Sequence, residues 1–217
     1  ASPVSDVDLS MVDNAGNPRT SRTTANCYLV HAPGTYKIPL VYGNAINNGT
    51  TNSLAYLSNT STDSNKRDNL INHADANITA PWITASGDGG TNSGMGYTVD
   101  GARIVWQDVQ NMIKNVSISA DGYYLTFEVD EDKIAEGNAV IAAKSGTDIV
   151  WSWHIWVTPE TYSDLTTINT GSHTYQVAPA NVGQISGIIK SCTTVYDGEQ
   201  CKVRVTANGN TVEFPVT

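Results

Sequence analysis

The sequence predicts an all-β protein built as an antiparallel β-sandwich with long loops rich in Asn, Thr and Gly. Short strand-like segments follow one another closely and are separated by turns that contain Gly, which is typical of sandwich folds. No segment sustains the periodicity of an amphipathic helix. The third observation is a tryptophan-rich segment near residue 150, which alternates as a half-buried strand does.

That segment, residues 151–157 (WSWHIWV), holds three of the five tryptophans and is predicted to form one strand. Alternate residues of a strand share a face. The predicted core-facing set is Trp151, Trp153, Ile155 and Val157. The opposite set is Ser152, His154 and Trp156. Either this face is a second buried layer, or its tryptophan is a surface aromatic available to a ligand.

Other strands follow from apolar or β-branched runs bounded by turn residues. The Asp121-Gly122 dipeptide predicts a tight hairpin, with Ile118, Leu125, Phe127 and Val129 facing the core. Pro39 cannot donate to a ladder, so it predicts an edge strand or a bulge. Together the segments suit an immunoglobulin-like or transthyretin-like sandwich. The predicted strands are residues 26–30, 36–42, 103–106, 116–120, 123–129, 138–143, 149–157, 175–177, 187–192, 202–207 and 211–216.

The chain divides into a polar N-terminal segment, residues 1–24, and a β-sandwich region, residues 25–217. An alternative division of that region has a main sandwich over residues 25–158 and C-terminal hairpins over residues 159–217. Residues 43–101 are rich in polar residues and Gly. We expect them to wrap the surface as an ordered excursion, against the alternative of a poorly ordered loop.

The net charge of −9 and the pI near 4.7 argue against binding to nucleic acid, since no basic cluster exceeds the pair Lys66-Arg67. The sequence contains no apolar run of about 18 residues, so no membrane span is predicted.

Cys192 and Cys201 flank a predicted turn at residues 195–198, which places them opposite each other in a hairpin. A disulfide there would imply an oxidising compartment, and unpaired thiols are the alternative. Cys27 is expected to be a buried thiol.

The sequence carries no catalytic signature. His31, His73, His154 and His173 lack the spacing of zinc ligands, so no metal site and no cofactor are predicted. The acidic run at residues 128–136 is interpreted as a solvated turn rather than a catalytic pair of carboxylates. The remaining candidates for a ligand site are aromatic. Trp82, Trp156 and His154 are the candidate ligand-binding residues, because an exposed Trp can stack on a sugar ring. Burial between sheets is the competing interpretation for each tryptophan.

Five segments carry a resemblance that spans residues 24 to about 205: TANCYLV at 24–30, APGTYKIP at 32–39, GNAVIA at 137–142, IVWSWHIWVT at 149–158 and PANVG at 179–183. In these segments the chain resembles the fimbrillin-like surface proteins of gut Bacteroidetes. The resemblance implies an exported sandwich protein that acts in pilus assembly or adhesion without a cofactor. Pilins of this kind lose an N-terminal strand by proteolysis, and Arg19 or Arg22 is the candidate processing point here.

The sequence therefore predicts a non-enzymatic, extracellular protein of the outer-membrane surface, either pilus-associated (a tip or accessory subunit) or adhesive. Its partners would be other surface or pilus subunits, joined by strand addition at an open sheet edge. One alternative is a carbohydrate-binding module that recognises host or dietary glycans. A second alternative is a virion surface protein of a phage that infects such bacteria.

Overall fold

The computed structural model describes residues 2–57, 68–85, 93–130, 136–159, 165–178, 181–185, 202–207 and 210–215. These residues form fourteen β-strands and two short 3-10 helices, at Leu9–Met11 and Ser53–Tyr56. The strands are β1 (Val4–Asp8), β2 (Cys27–Val30), β3 (Gly34–Pro39), β4 (Ile46–Asn47), β5 (Thr50–Thr51), β6 (Gly101–Gln107), β7 (Ile113–Ile118), β8 (Tyr124–Val129), β9 (Gly137–Ser145), β10 (Asp148–Val157), β11 (Thr166–Asn169), β12 (Thr174–Val177), β13 (Lys202–Ala207) and β14 (Asn210–Pro215).

The chain splits into two compact units, residues 1–185 and 186–217. The first unit contains two four-stranded sheets. We name them sheet I, with the order β1-β3-β8-β7, and sheet II, with the order β2-β10-β9-β6. The prediction of an all-β, sandwich-like fold is confirmed. Within the two sheets, four pairings are antiparallel and two, β1 with β3 and β2 with β10, are parallel.

The hairpin of β7 and β8 in sheet I agrees with the sequence. Gly122 takes a positive φ of 76° in its turn, and Asp121 accepts a hydrogen bond from the Tyr123 amide at 3.0 Å. Along β8, Leu125, Phe127 and Val129 are buried while the residues between them are partly exposed. The period of two therefore turns one face of β8 to the core and the other to solvent.

In sheet II, β10 pairs with β9 along its length and with β2 only from His154 to Val157. Its predicted core face is buried at Trp153, Ile155 and Val157 and half-buried at Trp151. The first half of β10 thus has no paired strand on its β2 side among the described residues.

One hydrophobic core lies between the sheets, with Ile38, Phe127, Ile141 and Trp153 among its members. Described parts of the 43–101 excursion add to this core. Their buried side chains are Ala45, Ile46, Tyr56, Ile78, Ala80, Trp82 and Ile83. These parts therefore pack on the sandwich as an ordered excursion, as expected.

The N-terminal segment is part of the sandwich, because β1 pairs with β3. Pro39 lies on an inner strand rather than an edge strand or a bulge. It is the last residue of β3, opposite Tyr124 of β8, and β1 pairs with β3 only as far as Lys37. A proline there removes no ladder hydrogen bond, which explains why it is accepted in this position.

Two further hairpins follow the sandwich along the chain: β11 with β12 in the first unit, and β13 with β14 in the second. Cys192, Cys201 and the strand predicted at residues 187–192 lie outside the described residues. Cys27 is a free, half-buried thiol on β2.

Candidate functional site

The three residues predicted to bind a ligand do not form one site. Trp82 lies in the core with no exposed surface, and the Arg22 guanidinium carbon lies 5.6 Å from the centre of its ring. Trp156 is on the outer face of sheet II but only 2% of it is exposed. His154 shares that outer face and is half-buried. Neither predicted tryptophan therefore offers an open ring for stacking, and both pack as the buried interpretation expects.

His154 instead borders a groove that crosses the outer face of sheet II beside the unpaired half of β10. The groove has a volume of about 550 Å³, within the roughly 300–1,000 Å³ usual for small-molecule sites. Three separated parts of the chain line it: Asn26 just before β2, residues 71–73 from the excursion, and strands β9 and β10. We call it the sheet II groove. Its polar lining residues are Asn26, Asn72, His73, Ser152 and His154; Ile71, Val140, Ile149, Val150, Trp151 and Trp153 supply the apolar part.

At one wall of the groove, Trp151 is fixed from two sides. Its indole N–H donates to the Asn26 Oδ1 at 3.2 Å, and its ring meets Tyr42 edge-to-face with centroids 5.1 Å apart. Asn26 in turn lies against the backbone of Gly43, where an added Cβ would be 2.6 Å from the Asn26 Nδ2. The close approach of a glycine therefore sets the position of Asn26 and, through it, of Trp151.

The opposite wall is also held by a network. Asn72 is buried, and its Nδ2 donates to the Tyr97 hydroxyl at 2.9 Å. The Asn72 Oδ1 accepts from the amides of Ala74 and Ala76. The His73 ring packs edge-on against Tyr97 with centroids 4.8 Å apart. These contacts hold a short polar turn in one conformation at the rim of the groove.

At the floor of the groove, hydrogen bonds fix the tautomer of His154. Asn138 donates through Nδ2 to the Asp108 Oδ2 at 2.8 Å and to the Gly183 carbonyl at 3.0 Å. Its Oδ1 is therefore an acceptor, and His154 Nε2 must donate to it at 2.8 Å. Burial lowers the pKa of His154, while the charge of Asp108 acts to raise it. The neutral ring leaves Nδ1 as an acceptor.

Trp106 lies on β6, one strand beyond the groove, on the same face of sheet II. A register shift between Ile104 and Trp106 leaves Val105 as an extra residue and places Trp106 opposite Val140, a residue of the groove floor. Trp106 is 51% exposed. Such bulges often redirect a side chain beside a functional site. This ring is an open aromatic platform that the ligand-site prediction did not include.

The groove contains no Asp, Glu, Lys or Arg among the described residues that line it. In the described ranges, no group of three or more His, Cys, Asp and Glu side chains is placed to hold a metal ion. The acidic run is paired where it is described: Lys114 Nζ lies 3.1 Å from Glu128 and 3.3 Å from Asp130. Hydrogen bonds from Asn115 and Lys114 lower the pKa of Glu128. The chemistry of the groove is that of uncharged hydrogen bonding beside apolar surface.

Most of the residues that line this groove could not be predicted from the sequence. Asn26, the adjacent pair Asn72 and His73, and Ser152 come from three distant parts of the chain, and each is an ordinary loop or surface residue by type. The usable signal was the polar face of the tryptophan strand, which the sequence did identify through His154.

No family model matches the sequence, and comparisons with curated proteins and with solved structures found no significant match. Among the residues that the structure describes, no helix has the length and hydropathy of a membrane-spanning segment.

Proposed function

We propose that this chain is a non-enzymatic subunit of the bacterial surface, pilus-associated or adhesive, which joins its neighbours by strand addition at the β1 edge of sheet I. The observation that carries the proposal is the irregular pairing of β1. An incoming strand can compete best with an edge strand that is itself poorly paired.

The pairing of β1 is interrupted in its middle. Val4 pairs with Gly34 and Val7 with Tyr36, with a register shift between the two pairs. Asp6, in the shift, has a positive φ of 52°, a conformation that is uncommon for residues other than glycine. Its amide donates to the Thr35 side chain rather than to the backbone of β3. A regular strand from a neighbour would form a more complete ladder with β3.

Packing beneath β1 is also incomplete. A pocket of about 160 Å³ that is open to solvent lies along it, and its apolar lining includes Val4, Val7, Leu9, Val30 and Tyr36. Removing such apolar surface from water is favourable. A donor strand with larger side chains at the inward positions would fill this volume.

The two candidate processing points differ in their contacts. Arg22 forms an ion pair with Asp8 at 3.1 Å, and its side chain is 12% exposed. It also donates to the Tyr124 hydroxyl at 2.8 Å. Arg19 is half-buried and is flanked by exposed residues on both sides. We therefore place the proposed cleavage after Arg19, which would release β1 and leave Arg22 with the body of the protein.

Strand exchange is tested by cutting the folded chain between β1 and β2. Gly16 sits in an exposed loop where an added Cβ would meet no atom within 4 Å, so a specific protease site can be inserted there. After cleavage, a fluorescent peptide with the sequence of residues 1–12 is added, and its binding is followed by anisotropy. The cut protein should release its own fragment and bind the peptide, whereas the uncut protein should not.

The matched control is the same peptide with Val4→Asp and Val7→Asp, which keeps the backbone and removes the apolar contacts. It should bind much more weakly. The proposal fails if the cut protein stays folded, binds no peptide and forms no chains of copies in light scattering.

A further inference from the structure

We propose that the sheet II groove is a binding site for a neutral saccharide, which forms hydrogen bonds with Asn26, Ser152 and His154 and stacks on an aromatic platform at Trp106. This site lies on sheet II, whereas strand addition is placed on sheet I. The inference therefore goes beyond the proposed function, and either one can fail without the other.

The composition of the groove selects this class of ligand. An anion would find no Lys or Arg, and a cation no carboxylate, among the described residues that line it. A wholly apolar ligand would bury five polar side chains without new partners, which is unfavourable. A sugar has hydroxyls for the polar groups and C–H faces for the apolar ones. Ile71 and Ile149, which are 55% and 37% exposed, give such faces a surface to contact.

Unsatisfied hydrogen-bonding groups face this space. The Ser152 hydroxyl is exposed and has no hydrogen-bond partner among the described residues. His154 Nε2 is occupied by Asn138, so Nδ1 remains as an acceptor. Asn26 Oδ1 accepts from Trp151 and keeps a second lone pair that can accept from a ligand hydroxyl, while its Nδ2 packs against Gly43. The groove thus offers donors and acceptors together, as vicinal hydroxyls require.

These groups are already fixed in position. Trp151 and Asn26 hold each other, His73 is packed on Tyr97, and His154 is held by Asn138. A site whose side chains are ordered before binding loses less conformational entropy when the ligand arrives. Such preorganisation is a property that a chance surface depression lacks.

Trp106 extends the site along the sheet. It is opposite Val140, and Val140 is opposite His154, so the three form one row across β6, β9 and β10. Neighbouring strands are about 4.8 Å apart. A ligand of two or more sugar rings would therefore reach from His154 to the exposed face of Trp106.

An extended peptide added to the open edge of β10 is the competing occupant. The Asn26 backbone carbonyl accepts from the His154 amide at 2.8 Å, and the Asn26 side chain reaches Trp151 just beyond it. This contact crosses the line that an added strand would have to follow. A peptide strand would need to break it, whereas a saccharide on the face would not.

The test begins with a glycan array that carries neutral, sulfated and carboxylated glycans, on which binding of the labelled protein is measured. Calorimetry then measures the affinity for the neutral oligosaccharide that binds best. We expect neutral glycans to bind with a dissociation constant below about 1 mM. Ser152→Ala and Trp106→Ala should each weaken binding roughly tenfold, which corresponds to about 1.4 kcal/mol. Both side chains are exposed, so both variants should fold.

The matched controls are exposed residues elsewhere. Ser117→Ala, on the outer face of sheet I, is the control for Ser152→Ala. His173→Ala is the control for His73→Ala in the groove. The controls should leave affinity unchanged. Three results would overturn the proposal: no neutral glycan bound, binding confined to charged glycans, or equal binding by the wild type and the Trp106→Ala, Ser152→Ala double variant. Binding of an extended peptide that Asn26→Ala strengthens would assign the groove to strand addition instead.

Discussion

His154 connects the outer face of sheet II to the stability of the fold, because burial lowers its pKa below the ordinary value of 6.5. As pH falls below about 6.5, the unfolded chain takes up a proton here before the native chain does. The free energy of unfolding should therefore decrease as pH falls from about 6.5 towards the lowered native pKa. Above that range, the contribution of neutral His154 to stability is fully present.

Urea unfolding of the wild type and His154→Asn at pH 7.5 and pH 5 measures this effect. The wild type should lose more stability between the two pH values than the variant. An equal loss in wild type and His154→Asn would show that His154 does not titrate differently in the two states.

Cys27 is predicted to be unreactive in the folded protein. Burial raises the pKa of its thiol to about 11. At pH 8 the reactive thiolate would then be about one part in a thousand of the total. After reduction, iodoacetamide at pH 8 should label Cys27 slowly in the native chain and rapidly in urea, as read by peptide mass spectrometry. Labelling at the same rate in both states would contradict the burial of this thiol.

At the scale of elements, Gly34 of β3 lies against the backbone of Val4 in β1. Its φ is +134°, and an added Cβ would lie 2.0 Å from the Val4 carbonyl oxygen. Gly34→Ala should therefore strain β3 and displace β1, at a cost of about 1–3 kcal/mol for the forced movement in addition to the backbone strain. Hydrogen exchange should rise across residues 4–8 more than elsewhere.

Gly122→Ala is the matched control, because Gly122 also has a positive φ, of +76°, but open space around its added Cβ. It should cost only about 1–2 kcal/mol of backbone strain. Unchanged exchange in β1 of the Gly34→Ala variant would show that this edge strand does not depend on the close approach.

The elements that the sequence predicted well are those with local signals. The β7–β8 hairpin has its turn dipeptide and its alternating core residues in one short stretch. The parallel pairings of β1 and β2 had no such signal, because each joins segments that no tight turn connects. Strand β1 was missed for the same reason: Val4 and Val7 are its only aliphatic residues, and both need β3 to be buried.

The candidate site was predictable only in part. Alternation along the tryptophan strand correctly separated Trp153 from His154, since a period of two is a property of one strand. It could not tell that Trp156 is covered or that Trp106 is exposed. The first depends on what packs over β10, which alternation within one strand does not contain, and the second on a bulge whose position is set by pairing with β9.

At the scale of the whole molecule, both sheets and the core cluster between them lie within the first unit, residues 1–185. The five tryptophans also lie within it. A chain that ends at Ile185 should therefore unfold cooperatively, with a thermal midpoint within a few degrees of the full chain and an unchanged tryptophan spectrum. Loss of the cooperative transition would show that residues 186–217 are needed for folding of the sandwich.

A shorter chain that ends at Thr158 tests what covers the outer face of sheet II. The Gly183 carbonyl accepts from Asn138, and an added Cβ on Gly183 would lie 3.3 Å from His154 Cε1. Asn138 is the β9 partner of Trp156, so the segment around Gly183 lies next to the Asn138–Trp156 pair.

Both truncated chains keep β1 to β10, but only the shorter one lacks the segment around Gly183. Acrylamide should therefore quench Trp156 more strongly in the chain that ends at Thr158 than in the chain that ends at Ile185. The comparison is made with Trp106→Phe in both, which removes the exposed indole. Equal quenching would mean that Trp156 owes its burial to the strands of sheet II alone.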